Sequence, residues 1–241
     1  MKVLAIIPAR GGSKGIINKN IQKVGCLPLI KHTIISAKKS KKIDKILIST
    51  DDDKILKIAS SMGVETPFLR PKKISSDTAT SLDVVKHALK YLEKHSYIPD
   101  VICLLQPTSP FRDDDIIDKS IKLLIKSKAT SVIGVSKIKT HAYGSFWKKN
   151  NFLKPFQSNF QIYSRRQSLP DLYFPTGSIY TFSLNTLKKY DSIYGPKIKP
   201  LIILQQDNVD IDTLFDLFIA EMKLKHWKNY QKKFHCLFDS G

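Results

Sequence analysis

Ile6-Ile7-Pro8-Ala9-Arg10-Gly11-Gly12-Ser13-Lys14-Gly15, closing on Asn18-Lys19-Asn20, couples an apolar run to a basic, glycine-rich loop. The apolar run begins at Val3, is bounded by Pro8 and predicts a buried strand. Glycines let the backbone turn sharply and approach a ligand closely, so that main-chain N–H groups point at phosphate oxygens. Arg10, Lys14 and Lys19 supply matching positive charge. A strand that opens directly into such a loop is where α/β sheets hold nucleotides. Residues 8–20 are therefore the expected triphosphate seat, with Ala9, Gly11, Gly12, Ser13 and Asn20 as its backbone and polar members. Neither common phosphate motif is present: no run ends in Gly-Lys-Ser/Thr at Walker spacing, and Gly11, Gly12 and Gly15 do not follow G-x-G-x-x-G. Taken alone, the loop also reads as a flexible, lysine-solubilised turn.

Outward from this loop, strand and helix patterns alternate, which predicts an α/β fold: a mostly parallel sheet with helices on both faces. Further strands are expected at 45–50, 64–68, 100–105, 131–136, 178–182 and 200–204. Helices are expected over 28–40, from Asp51-Asp52-Asp53 to Gly63, through Leu82, Val85, Ala88 and Leu92, and after Asp113-Asp114-Asp115. Asp212 or Thr213 caps a final helix through Leu217, Ala220 and Leu224. Residues 137–173 break the rhythm and carry Tyr143, Phe146, Trp147, Phe152 and Phe156, the mark of a functional insert. The expected organisation is a core of residues 1–136 and 174–225, an insert at 137–173, and a frayed tail at 226–241.

At 241 residues the chain buries a sizeable core, and 42% hydrophobic with 25% charged residues is ordinary for a soluble globular protein. No apolar run approaches the roughly 18 residues that cross a bilayer. The strand pattern starts at Val3, so no secretory leader and no membrane partner are expected. Cys26, Cys103 and Cys236 are scattered without metal spacing and read as reduced thiols of a cytoplasmic protein. The net charge of +19 suggests nucleic acid, but only Arg10, Arg70, Arg112, Arg165 and Arg166 are arginines. The remaining charge is diffuse lysine pairs, not a stripe interleaved with aromatics, so no nucleic-acid partner is expected. That surface draws in anionic substrates instead.

Several segments together resemble the acylneuraminate cytidylyltransferases, the enzymes that make CMP-activated nonulosonic acids. They are residues 6–20, Ser49-Thr50-Asp51, Arg70-Pro71, Ser76-Asp77-Thr78-Ala79, residues 104–112, Arg166-Gln167-Ser168-Leu169-Pro170, Gly177-Ser178-Ile179-Tyr180 and Asp210-Ile211-Asp212-Thr213, in the family's order. The resemblance implies a Rossmann-like nucleotidyltransferase core, Mg²⁺ dependence and a homodimer joined through the insert. It implies attack by the anomeric hydroxyl of an acidic keto-sugar on the α-phosphate of CTP, with pyrophosphate leaving. Arg10, Lys14, Lys19 and Asn20 would hold the triphosphate, Ser81 the cytidine, Gln106 the sugar, and Arg166 the sugar carboxylate. Asp210 and Asp212 would hold the metal; with Arg10 and Lys19 they form the implied catalytic set.

The chemistry fits those residue types. Attack at the α-phosphate concentrates negative charge, and fixed cations and a metal aimed there are the main catalytic resource. Asp210 and Asp212, two apart, point the same way on extended backbone. The plainer alternative is that Asp212 caps the final helix. Gln106-Pro107 stands at the carboxyl end of a central strand, where α/β sheets bind ligands. Arg112 is of second rank, and His141 is expected to face the site from the insert. Thr176-Gly177-Ser178 replaces the Asn-Gly-Ala of many relatives, and residues 140–144 lack a lysine that some place there. Thr176 and Gly177 are nonetheless expected on the substrate. These departures lie on the sugar side, so a legionaminic or pseudaminic acid competes with N-acetylneuraminate as acceptor. The remaining alternatives are an eight-carbon ulosonate, or a nucleic-acid-binding protein of another class.

Overall fold

The computed structural model describes residues 1–139, 141–156 and 169–238. A six-stranded sheet organises them. β1 (Val3–Pro8) lies between β4 (Lys45–Ser49) and β5 (Val101–Leu104), parallel to both. Beyond β5 come β9 (Tyr173–Ser183), β6 (Ser131–Lys137) and the edge strand β10 (Ile198–Ile202), giving the order β10-β6-β9-β5-β1-β4. β2 (Lys23–Val24) and β3 (Leu27–Pro28) form a small separate hairpin. The alternation of β1 side chains splits the core in two. Val3, Ala5 and Ile7 pack beneath α1 (Leu29–Lys39), α2 (Asp53–Ser61) and α4 (Ile116–Ser127). Leu4 and Ile6 face α3 (Ser81–Lys94) and α5 (Leu184–Tyr190).

Helix entries follow ordinary capping chemistry. Asp52 accepts from the N–H groups of Lys54 and Ile55 and so starts α2. Thr80 and Asp83 form a reciprocal capping box at α3. Gly63, at φ +63°, stands just past the end of α2, as expected. The last helix, α6 (Leu214–Phe238), is entered through Thr213, whose hydroxyl accepts from Asp216 N–H while the Asp216 carboxylate accepts from Thr213 N–H. Thr213 is therefore the cap, and Asp212 is free for other work.

The structure adds the β2–β3 hairpin and α5, which the sequence reading did not contain, and differs from that reading at four further elements. β9 is antiparallel to both β5 and β6 and runs for 11 residues, not the five of 178–182. Pro175 and Gly177 interrupt its apolar pattern, and the register shifts opposite Ile133 and Val135. In place of the strand expected at 64–68 there are only isolated bridges, Leu47 to Glu65 and, one residue beyond that range, Thr50 to Leu69, because Pro67 has no N–H to extend a ladder. The insert holds a hairpin of β7 (Phe146–Lys149) and β8 (Phe152–Pro155), turned by Asn150 at φ +54°. Lysines on both of its faces hide the alternation. Finally, α6 continues to Phe238, past the Leu224 where the periodicity weakens. No helix among the described residues is long and apolar enough to cross a membrane.

Phe182 on β9 is fully buried between helices on one face of the sheet. Phe182→Ala should cost about 3–5 kcal/mol of unfolding free energy, measured by denaturant titration.

Candidate active site

β1 and β5 run parallel, so the loops that leave their carboxyl ends open on one edge of the sheet. A cavity of about 570 Å³ lies there. Arg10, Ser13, Lys14, Lys19 and Asn20 enter it from the first loop, and Ser81 from the start of α3. Gln106 enters from the end of β5, and Asp210 and Asp212 from the segment before α6. Residues far apart in the chain thus line one cavity.

The loop is held by its own polar groups. Asn20 is buried and its Nδ2 donates to the Arg10 carbonyl at 2.9 Å. Lys19 sits in a short 3₁₀ turn and its Nζ lies 2.7 Å from Asp212 Oδ1. Gly15 packs against the same residue: a Cβ there would stand 2.2 Å from the Asp212 carbonyl oxygen. Ala9 is buried under the loop and does not line the cavity; its N–H donates to Ser49 O. Gly11 and Gly12 also lie off the cavity wall. The Gly11 N–H donates to Asp51 Oδ1 at 3.0 Å, so that amide braces the loop instead of facing phosphate as expected.

Three carboxylates balance the cations. Asp77 bridges Arg10 Nη1 and Lys14 Nζ, at 2.7 Å each. The Lys14 ammonium, with Arg10 beside it, holds the Asp77 carboxyl below its ordinary range. Asp51 faces Arg70 at 3.6 Å, and Arg70, buried and on the cavity wall, donates from Nε to Ser75 Oγ. Burial lowers the Arg70 pKa, with Asp51 opposing. Asp212 takes Lys19. Asp210 behaves differently: desolvation raises its proton affinity and the like charge of Asp212 adds to this, while the Thr108 hydroxyl and Lys19 pull it back. The Thr108 carbonyl also accepts the Ile211 N–H at 2.8 Å, which pins the carboxylate pair to the 106–112 turn.

A second cavity of about 340 Å³ continues from the first past Ser81 and Gln106, with Leu104, Tyr180, Ile193 and Tyr194 as its far wall. Burial pushes the Tyr180 phenol up to about 12. Thr176 and Gly177 line neither cavity. Thr176 is buried, with its hydroxyl donated to Gly134 O at 3.2 Å and 2.6 Å from Ser178 Oγ. Gly177, at φ +72°, backs Gln106: a Cβ would meet Gln106 Oε1 at 2.5 Å. Neither residue is placed to touch substrate directly, because the strand turns them inward. His141 is engaged within the insert, its Nε2 2.9 Å from Pro170 O, and does not line the site. Arg165 and Arg166 lie outside the described residues.

The sequence reading missed Arg70, Asp77, Thr108, Tyr180, Ile193 and Tyr194 as site members. Arg70-Pro71 and Ser76-Asp77 stand out as segments, but nothing in their spacing tells that Asp77 meets the first loop. The Ile193-Tyr194 pair has no motif around it.

This arrangement gathers fixed cations and paired carboxylates at the nucleotide edge of an α/β sheet, and the sequence comparisons agree with it. The cytidylyltransferase family model matches residues 4–231, so the chain belongs to that family and is a nucleotidyltransferase. Its relatives include the pseudaminic acid cytidylyltransferase of Campylobacter jejuni, 32% identical over 93% of this chain and 97% of that protein. They include also the CMP-N,N'-diacetyllegionaminic acid synthase of Legionella pneumophila, 34% identical over 92% of this chain and 95% of that protein. Among solved structures, CMP:2-keto-3-deoxy-manno-octonic acid synthetase complexed with CTP shares the fold, with a TM-score of 0.69 and 15% identity over 93% of this chain and 98% of that one.

Gly12 and Gly15 separate two uses of glycine. A Cβ at Gly12 meets nothing within 4 Å, whereas at Gly15 it strikes backbone. Gly12→Ala should leave cytidylyltransferase kcat/KM within about twofold, and Gly15→Ala should lower it by about tenfold or more, since it parts the loop from Asp212. Steady-state assays on both variants check this.

Proposed function

We infer that the protein transfers CMP from CTP to the anomeric hydroxyl of an acidic nonulosonic sugar and releases pyrophosphate. One observation carries the reading: the cationic loop and the carboxylate pair face each other across a single cavity and are joined by Lys19 and Asp212. The acceptor oxygen forms a bond to the α-phosphorus while the bond from that phosphorus to the bridging oxygen of pyrophosphate breaks. Negative charge grows on the leaving pyrophosphate. Arg10, Lys14 and Lys19 are positioned to stabilise it, and their charge is already in place before reaction. The acceptor proton leaves to solvent or to a carboxylate of the pair.

Asp210 and Asp212 suit Mg²⁺. They are hard oxygen donors, and the raised proton affinity of Asp210 marks a carboxylate that gains from a nearby cation. No group of three or more acidic, histidine or cysteine ligands occurs among the described residues, and Mg²⁺ commonly uses one or two carboxylates with phosphate oxygens and water. Bound there, it supplies charge neutralisation for the triphosphate. Gln106 and the adjoining cavity of Tyr180 and Tyr194 are the acceptor side of the proposal, and Ser81 the nucleoside side. Arg166 keeps its proposed role toward the sugar carboxylate on sequence grounds alone. The proposal includes a cytoplasmic homodimer that buries the exposed Trp147, Phe152 and Leu153 of the insert hairpin.

Pyrophosphate release from CTP and Mg²⁺ should appear with legionaminic, pseudaminic or N-acetylneuraminic acid, and chelation with EDTA should abolish it. Absence of turnover with every nonulosonic acid would sink the reading. Asp210→Asn and Arg10→Ala should each lower kcat/KM by about a hundredfold or more with the protein still folded. Asp77→Asn has the opposite sign: it removes the anion that shares Arg10 and Lys14, so the KM for CTP should fall about two- to threefold at low salt.

A further inference from the structure

Arg112 closes the turn that carries Gln106, yet it lines neither cavity. Its guanidinium spans three elements. Nε donates to Ser178 O at 2.7 Å, Nη1 donates to Thr33 Oγ1 at 2.8 Å, and Nη2 donates to Gln106 O. All three acceptors are neutral. A partly buried cation held only by neutral oxygens is expensive to place, and burial draws its pKa down to about 9 against the field of Asp210. A planar fork does what lysine cannot, because it fixes three acceptors at once from one rigid group.

Gln106 lies between two of the parts so fixed. One is its own peptide carbonyl. The other is the Gly177–Ser178 stretch of β9, whose glycine leaves room for Gln106 Oε1 where a Cβ would stand 2.5 Å away. Ser109 ties the same strand beside it, its hydroxyl donating to Thr176 O at 2.9 Å. Arg112 thus holds the Gln106 backbone at a set distance from the Gly177–Ser178 wall on which the carboxamide rests. Its hydrogen bonds go to the Gln106 turn, β9 and α1, and it reaches the carboxylate side only through the field of Asp210 and the turn that Thr108 shares with Ile211.

We propose that Arg112 is a positioning residue for acceptor binding: its fork sets the Gln106 backbone against the Gly177–Ser178 wall and, through it, the direction in which the Gln106 amide enters the cavity. This rests on the reading of Gln106 as an acceptor contact. The test is a double-mutant cycle in which Arg112→Lys is made in the unsubstituted protein and in Gln106→Ala, with KM measured for acceptor and for CTP. The acceptor KM should rise about tenfold in the first background and less than about twofold in the second, while the CTP KM stays within about twofold in both. Equal effects in the two backgrounds, or a parallel rise in the CTP KM, would overturn the proposal and leave Arg112 as scaffold. If the unsubstituted protein turns over no nonulosonic acid, the acceptor reading itself fails and this inference falls with it. Should Arg112→Lys not fold, Thr33→Val removes a single anchor. A two- to threefold rise in acceptor KM that vanishes in Gln106→Ala is then expected, and an unchanged KM overturns the proposal.

Discussion

The contact between the first loop and the entry to the last helix makes the site one object. Lys19 and Asp212 are 193 positions apart in the chain and meet at 2.7 Å. The ion pair does not supply most of the energy. Asp212 is 67% exposed, and pairs of that kind contribute about 0–1 kcal/mol. Beneath it, Ile16 and Ile211 are buried with Val24, Leu29 and Ala220 in a small third core cluster. Each such isoleucine contributes about 1.5–3 kcal/mol by burial. Apolar packing therefore brings the two segments together, and the ion pair with the Gly15 approach fixes where along each other they stop. A catalytic cavity needs that second quality more than the first.

Charge balance inside the cavity follows from the same geometry. The chain's excess of lysine is spread over its surface, but the cavity cations each have an assigned carboxylate: Asp77 for Arg10 and Lys14, Asp51 for Arg70, Asp212 for Lys19. Asp210 is the exception, left beside another aspartate with its proton affinity raised. With Asp77 shared by two cations, the part that would meet phosphate keeps one net positive charge, and Asp210 is the one unpaired carboxylate among the described residues in the part that would meet metal. A metal–nucleotide complex is the ligand class that suits both parts together, because it brings anion to the first and cation to the second.

The strand–loop–helix rhythm is legible from the chain because β1 and β5 are buried on both faces and read as continuous apolar runs. The same property made strand direction illegible. β9 looks like its parallel neighbours over 178–182, and nothing local says that it runs the other way. Site members carried on the glycine loop or next to prolines were recoverable, since those residues exist for the backbone they allow. Asp77 was not, because its role depends on where a loop of ordinary composition comes to rest. Asp212 needed the structure for a different reason. Two capping residues were possible, and only the Thr213–Asp216 exchange shows which one is spent on the helix.

Thr176 shows how a departure from a family pattern can mislead about mechanism. Its hydroxyl, where many relatives have a carboxamide, is expected to alter a substrate contact directly. Instead the group is 3% exposed and closes an internal chain with Ser178 Oγ and the Gly134 carbonyl. A polar side chain already satisfied inside the fold gains nothing by turning outward, and leaving its partners unpaired would cost about 1–3 kcal/mol. The substitution therefore acts on the strand behind Gln106 and not on the ligand in front of it. Gly177, Ser178 and Arg112 meet on that strand, so the acceptor side of the cavity is shaped from behind.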